Sequence, residues 1–195
     1  MTTILLATKN QDKIKLLSKL ISDIYTAKNF SFKTLEDFNI VQDVEESGDI
    51  ADRAKQKAAF YFDLLREKVK YSKVNYVLGV DDGIEIKKLG NKTPETKKMV
   101  DLIINDNLLK VGDVVSIIRA YCFIKIKTGE EKSIITEIPF KFIGNEKQIK
   151  RIEGKYPLSY LLSHLDKDIA IVDTSEQEVK EYDIRYSSKL LDLKL

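Results

Sequence analysis

The 195 residues fit one domain, with room for two lobes, and are enough to bury a sizeable core. The 33 Lys and Arg nearly cancel the 31 Asp and Glu, leaving a net charge of +2. Such a chain has no long-range field for a nucleic acid, so any phosphate binding must be local. Cys122 is the only cysteine and His164 the only histidine. A disulfide framework, a cysteine-rich zinc site and most histidine-based metal or triad chemistry are thereby excluded. Carboxylates and lysines remain as the working groups. No secretory signal or membrane span is read: Ile4-Leu5-Leu6-Ala7 is too short, and Lys9 and Lys13 follow closely. A reducing, cytoplasmic setting is the default expectation.

Thr3 to Thr8 has the length and apolar content of a buried strand. Lys9-Asn10-Gln11-Asp12 then forms a polar turn able to cap a helix whose apolar face carries Ile14, Leu17 and Ile21. Phe30 to Val41 reads as one or two weak strands and a turn. After Gly48-Asp49, a long helix carries Ile50, Ala54, Ala58, Tyr61, Leu65 and Val69 roughly on one face. Tyr76 to Val80 predicts a second buried strand, broken at Asp81-Asp82-Gly83 and resuming through Ile84 and Ile86. Pro94 suits the first turn of a helix running to Ile103. Val114 to Lys127 predicts a long strand, turned at Thr128-Gly129-Glu130 into Ser133 to Phe142. Gly144 to Pro157 looks irregular, with room for a short helix. Ile169 to Val172 predicts a last strand, and Glu176 to Leu193 a last helix broken near Tyr186. This element order implies an α/β fold with a mixed sheet flanked by helices, not a doubly wound parallel one.

Three segments place polar residues where strands or loops meet helices, the usual location of sites in α/β folds. Thr8 to Lys13 offers a hydroxyl, an amide and two ammonium groups beside a helix start, which suits an anion. It is equally the composition of a helix cap with solvated lysines. Glu45-Glu46 precedes the long helix; these carboxylates are hard ligands suited to Mg²⁺, or simply acids favoured by the helix dipole. Asp81-Asp82-Gly83 puts two acids at the end of a buried strand, costly unless paired or metal-bound, yet Asp-Gly is also a strong turn signal. Lys57, next to the apolar face of its helix, either snorkels or reaches a phosphate. Arg119 is expected to face outward, and His164, set among leucines, to be a packed residue.

In order, these segments resemble the inosine-triphosphatase (Ham1-like) family. Ala7-Thr8-Lys9-Asn10-Gln11-Asp12-Lys13 is similar to its Ala-Thr-x-Asn-x-x-Lys opening, and Glu46-Ser47-Gly48 to its Glu-Thr-Gly. Ala54-Lys55-Gln56-Lys57-Ala58 resembles its Asn-Ala-x-x-Lys-Ala helix, with Arg53 where asparagine is usual. Val77 to Ile86 resembles the strand ending Asp-Asp-Ser-Gly-Leu-Glu-Val, and Arg119 to Phe123 its Arg-x-Ala-x-Phe strand with one residue removed. The match spans roughly Ile4 to Lys127.

The resemblance implies a twisted, elongated sheet with two lobes about a central cleft, acting as one domain over 1–195. It implies Mg²⁺-dependent hydrolysis of a nucleoside triphosphate, typically a deaminated purine nucleotide, to monophosphate and pyrophosphate. Thr8, Asn10 and Lys13 would hold phosphates, and Glu46 and Asp81 the metal and attacking water. Lys57 would neutralise charge, Arg185 would contact the base, and the chain would pair as a homodimer. Four departures stand out. Val80 replaces the first aspartate, Asp82 the serine, and Asp12 the phosphate-loop glycine. The base-reading Gly-Phe-Gly-Tyr-Asp-Pro and Ser-His-Arg segments shrink to Gly154-Lys155-Tyr156-Pro157 and Asp183-Ile184-Arg185. Phosphate and metal handling thus look kept and base selection rebuilt, or turnover lost and binding retained.

Overall fold

The computed structural model describes residues 1–66, 73–93, 103, 108–144 and 157–195. Among these, strands β1 (Thr2–Leu6), β2 (Phe30–Lys33), β3 (Tyr76–Ile86), β4 (Asn91–Thr93), β5 (Val114–Lys125), β6 (Glu131–Phe142) and β7 (Leu162–Ser163) form one sheet. Its order is β2-β1-β3-β5-β6-β7, with β4 added to β3. The α-helices described along their length are α1 (Gln11–Ile24), α2 (Ile50–Arg66) and α3 (Glu176–Ser187). β1 pairs in parallel with both β2 and β3, whereas β3–β4 and β6–β7 are antiparallel. The mixed α/β architecture read from the element order is the one observed. No helix among the described residues is long and apolar enough to cross a membrane.

The chain divides into two compact units. One comprises Met1–Asp81, Arg119–Thr136 and Ser188–Leu195, the other Asp82–Ile118 and Glu137–Ser187. In the first, the Ile4-Leu5-Leu6 run of β1 is continuously apolar because it is buried on both faces, all three residues being fully inaccessible. Leu17, Leu20 and Ile21 form the buried stripe of α1, each stabilising the fold by about 1.5–3 kcal/mol if fully removed from water. In α2 the expected face is the buried one, through Ile50, Ala54, Ala58, Tyr61 and Leu65; Val69 lies outside the described residues. Tyr25 donates to the Leu190 carbonyl and so ties α1 to the C-terminal turn.

Gly79 sets how closely α2 approaches β3. A Cβ there would collide with the Ala54 carbonyl oxygen and lie 2.6 Å from the Ala58 nitrogen. Glycine on the strand opposite two alanines on the helix permits backbone-to-backbone packing that no larger residue allows.

The second unit is cored by Ile84, Ile86, Val115, Ile138, Phe140, Phe142, Leu158 and Tyr182, among others. His164 is packed as expected, 3% exposed and stacked on Tyr182 at 3.9 Å.

Several expectations are corrected. β3 runs unbroken from Tyr76 to Ile86, so Asp81-Asp82-Gly83 is extended chain and not a turn; pairing with neighbouring strands outweighs the local Asp-Gly signal. Arg119 is buried, only 7% exposed, on a strand whose residues are almost all buried. Ile171–Asp173 is a 3-10 turn and not a strand, while the two-residue β7, too short to leave a periodic signal, went unread. The last helix breaks one residue past Tyr186, with Ser188–Leu193 continuing as 3-10. The helix expected from Pro94 falls, apart from a buried Ile103 in helical conformation, outside the described residues. So does most of the irregular stretch after Gly144.

Gly79→Ala is expected to destabilise the protein by about 1–3 kcal/mol through overpacking, read as a lower urea midpoint at unchanged slope. An unchanged midpoint would show that the helix–strand approach is not tight.

Candidate functional site

The chain passes from β1 through α1 to β2 on one side, then from β2 through α2 to β3 on the other side of β1. With the right-handed crossovers that such units take, the helices cover opposite faces and a crevice opens beyond the end of β1, beside the middle of β3. Thr8 follows β1 and Asp81 lies in β3, so the topology itself brings these two segments side by side.

Asn10 caps α1, its Oδ1 accepting from the Asp12 and Lys13 N–H groups at 2.9 and 3.2 Å. The Ile14 N–H donates to the Asn10 carbonyl, and the Asn10 N–H to the Thr8 hydroxyl at 3.2 Å. The cap is therefore real, and it uses up most of the helix-terminal donors that an anion would otherwise meet. What remains for an anion is the side chains: the Thr8 hydroxyl hydrogen, the Asn10 amide nitrogen and Lys13. Asp12 is exposed in the first turn of α1, where the helix dipole favours it, and it does not line the cavity beside the loop.

The segment carrying Glu46 is sewn to α2. Gln56 accepts from the Ser47 N–H and donates to the Ser47 carbonyl, both at 2.9 Å. Gly48 takes φ +86°, and Arg53 Nε donates to its carbonyl. Asp49 and Asp52 cap reciprocally, side chain to backbone, at 2.9 and 3.4 Å. Tyr61 donates to the Gln42 carbonyl at 3.1 Å. Burial, with Asp43 and Glu46 nearby, pushes its phenol up to about 12, so it serves as a fixed donor and not as a base. Lys9 spans from the other side, at 3.0 Å from both the Val41 carbonyl and the Asp43 carboxylate.

These ties converge on Lys57. Its ammonium lies 2.8 Å from Glu46 Oε2, 2.7 Å from Asp81 Oδ1 and 3.3 Å from the Val80 carbonyl. Lys13 Nζ is 3.9 Å from the same Asp81 oxygen. Two cations and two anions thus form one compact, nearly buried cluster. Beside it is an open cavity of about 240 Å³, lined by Thr8, Lys9, Asn10, Lys13, Asp43, Glu46, Lys57 and Tyr61 among others. Asp81 is not part of the lining: it is 8% exposed and sits behind the lysines. Thr8, Asn10, Lys13, Glu46 and Lys57 line the same cavity, with Asp81 one layer beneath. Arg185 belongs to α3 in the other unit, its guanidinium 5.9 Å from the Tyr182 ring centre.

The residues fit a divalent cation of the Mg²⁺ type. Asp81 Oδ2 is buried without a hydrogen-bond partner among the described residues, an arrangement whose desolvation cost a hard cation would relieve. No group of three or more His, Cys, Asp and Glu able to hold a metal occurs among the described residues. Glu46 and Asp81 would therefore be the protein's share, with water and substrate oxygens as the rest, a division usual for Mg²⁺.

Sequence reasoning missed Lys9–Asp43, Gln56 and the lining role of Tyr61. Tyr61 stands four residues after Lys57, so helical spacing already places the two on one face. Asp43 belongs to no local pattern, and only the fold brings it to Lys9.

The Lys9 hydrogen bond holds the Asp43 carboxyl below the ordinary carboxylate range. Because its folded value is depressed, the tie is intact above the unfolded value and is lost as pH falls through the folded one. In Lys9→Met, the Asp43 carboxyl carbon followed by NMR is expected to titrate at higher pH than in the parent. An unmoved midpoint would remove the tie.

The chain resembles two solved structures over nearly its whole length. With a nucleoside-triphosphatase / dITP/XTP pyrophosphatase from Mycobacterium abscessus it shares 16% identity and a TM-score of 0.59, covering 100% of this chain and 98% of that one. With a HAM1 protein from Coxiella burnetii the identity is 13% and the TM-score 0.63, covering 99% and 100%. At such identities the likeness is one of fold. No curated protein matches the sequence. The family model for the Ham1 family matches residues 4–137, more than half of the chain and all of the cavity described above, and the chain therefore belongs to the Ham1 family.

Proposed function

We propose that this chain is a Mg²⁺-dependent nucleoside triphosphate pyrophosphatase that releases monophosphate and pyrophosphate. The observation that carries this reading is the cluster of Lys13, Lys57, Glu46 and Asp81 beside a 240 Å³ cavity rimmed by Thr8 and Asn10. Phosphoryl transfer asks chiefly for positioning and for stabilisation of charge on the phosphate oxygens. Thr8 and the Asn10 amide donate to those oxygens, while Lys13 and Lys57 neutralise them. Glu46 and Asp81 hold the divalent ion, which when bound supplies Lewis-acid polarisation of the phosphate and of the attacking water. The Lys9–Asp43 tie and Gln56 keep the two loops in register around the ligand.

The substrate class follows from the family and from the dITP/XTP pyrophosphatase named among the structural relatives: a deaminated purine nucleotide, with an altered base preference. The altered preference rests on the departures of Gly154 to Pro157 and of Asp183-Ile184-Arg185 from the family's base-reading segments. Arg185 is the surviving candidate for base contact. The family likewise supports a cytoplasmic homodimer with no nucleic-acid or membrane partner. A second reading, binding without turnover, is favoured by one observation: Asp81 lies behind Lys57 and does not line the cavity.

Purified protein with Mg²⁺, offered standard and deaminated triphosphates, is expected to release pyrophosphate, and Asp81→Asn to abolish the release. Triphosphate binding without release from the parent protein would establish the second reading. Lys13→Ala is expected to weaken every triphosphate to a similar degree whatever its base; a change confined to base preference would place the phosphates elsewhere.

A further inference from the structure

We propose that the Lys57 ammonium is an internal stand-in for the divalent cation, occupying the gap between Glu46 and Asp81 until metal and triphosphate arrive together. The inference rests on the pyrophosphatase reading in assigning those carboxylates to a metal. Three observations support it.

The first is the placement of charge. Lys57 Nζ contacts one oxygen of each carboxylate at 2.8 and 2.7 Å, bridging two anions as a cation shared between them would. It also donates to the Val80 carbonyl, a third partner at 3.3 Å. Two anions brought this close in a poorly hydrated place repel unless a cation lies between them. The second is placement: Lys57 and Lys13 line the cavity and contact Asp81, which does not line it. A metal approaching Asp81 must move the lysine. The third is the buried, unpartnered Asp81 Oδ2. Lys57 and Lys13 contact Oδ1, and Oδ2 has no hydrogen-bond partner among the described residues, which leaves that oxygen for a harder ligand.

The consequence is a coupled exchange. Metal alone must expel an ammonium held by two carboxylates at 2.8 and 2.7 Å, and so it binds weakly. A triphosphate beside Thr8 and Lys13 supplies that anion, because Lys57 can swing from the carboxylates to the phosphate while the metal takes its former place. Metal and triphosphate then strengthen each other's binding by the same factor, as linkage requires. The exchange breaks no covalent bond: the carboxylates trade a monovalent ammonium for a divalent ion, and the arriving triphosphate supplies the anion for the released ammonium.

The test uses Mn²⁺ alone, with no nucleotide, its binding followed by electron paramagnetic resonance; Mn²⁺ takes the same oxygen ligands as Mg²⁺. The parent protein is expected to bind weakly. Lys57→Met, which keeps the chain length and removes the charge, is expected to bind at least about tenfold more tightly, the scale on which a neighbouring charge acts. Lys57→Arg, which restores the charge, should remain weak. Equal or weaker Mn²⁺ binding by folded Lys57→Met would overturn the exchange. If Lys57→Met is unfolded in EDTA, recovery of its circular dichroism on adding Mn²⁺ supports the proposal and failure to recover overturns it. Tightened Mn²⁺ binding without pyrophosphate release from the parent would sink the hydrolase reading and leave the exchange standing; release with unchanged Mn²⁺ binding would do the reverse.

Discussion

The close approach of α2 to β3 at Gly79 is the constraint on which the candidate site depends. A glycine in the strand, with Ala54 and Ala58 in the helix, lets two backbones come into contact where side chains normally intervene. Lys57 occupies the turn between those alanines and is thereby delivered to the Val80 carbonyl and the Asp81 carboxylate, one and two residues beyond the glycine. A wider helix–strand spacing would leave the ammonium short of Asp81, and the carboxylate would keep only the more distant Lys13 as counter-ion. Packing and electrostatics are here the same fact seen at two scales.

Around that contact, the remaining ties are loops fastened to helices. Gln56 and the Asp49–Asp52 capping pair fix the segment that carries Glu46, and Asn10 fixes the start of α1. None of these bonds contributes much singly, since net hydrogen-bond gains are about 1 kcal/mol each. Their effect is positional: charged groups from three separate stretches of chain are held within one salt-bridge length of each other before any ligand arrives. Such preorganisation is what charge stabilisation in phosphoryl transfer requires.

Asn10 and Asp81 show how a sequence motif leaves the use of its residues open. The Asn10 side-chain oxygen is committed to capping α1, leaving only the amide nitrogen for a ligand. Asp81 ends the apolar part of β3 as expected, yet lies behind Lys57 instead of facing the cavity. Asp12, which in sequence looks like a repulsive charge beside an anion site, does not line the cavity and sits in the first turn of α1, where the helix dipole favours it.

The order of elements, the buried faces of α1 and α2, the hairpin at Gly129 and the packed state of His164 were legible from the sequence, because apolar periodicity and turn chemistry are local properties read along the chain. The continuity of β3 through Asp81-Asp82-Gly83, the burial of Arg119 and the pairing of β7 were not, because strand pairing is non-local and overrides weak local signals. The motif order already named Thr8, Lys13, Glu46, Lys57 and Asp81 as members of one group. That they meet around one lysine, with Asp43 joined to Lys9 across the loop, was decided only by the tertiary structure: the distances between residues so far apart in the chain are set by helix–strand packing, which no window of sequence contains.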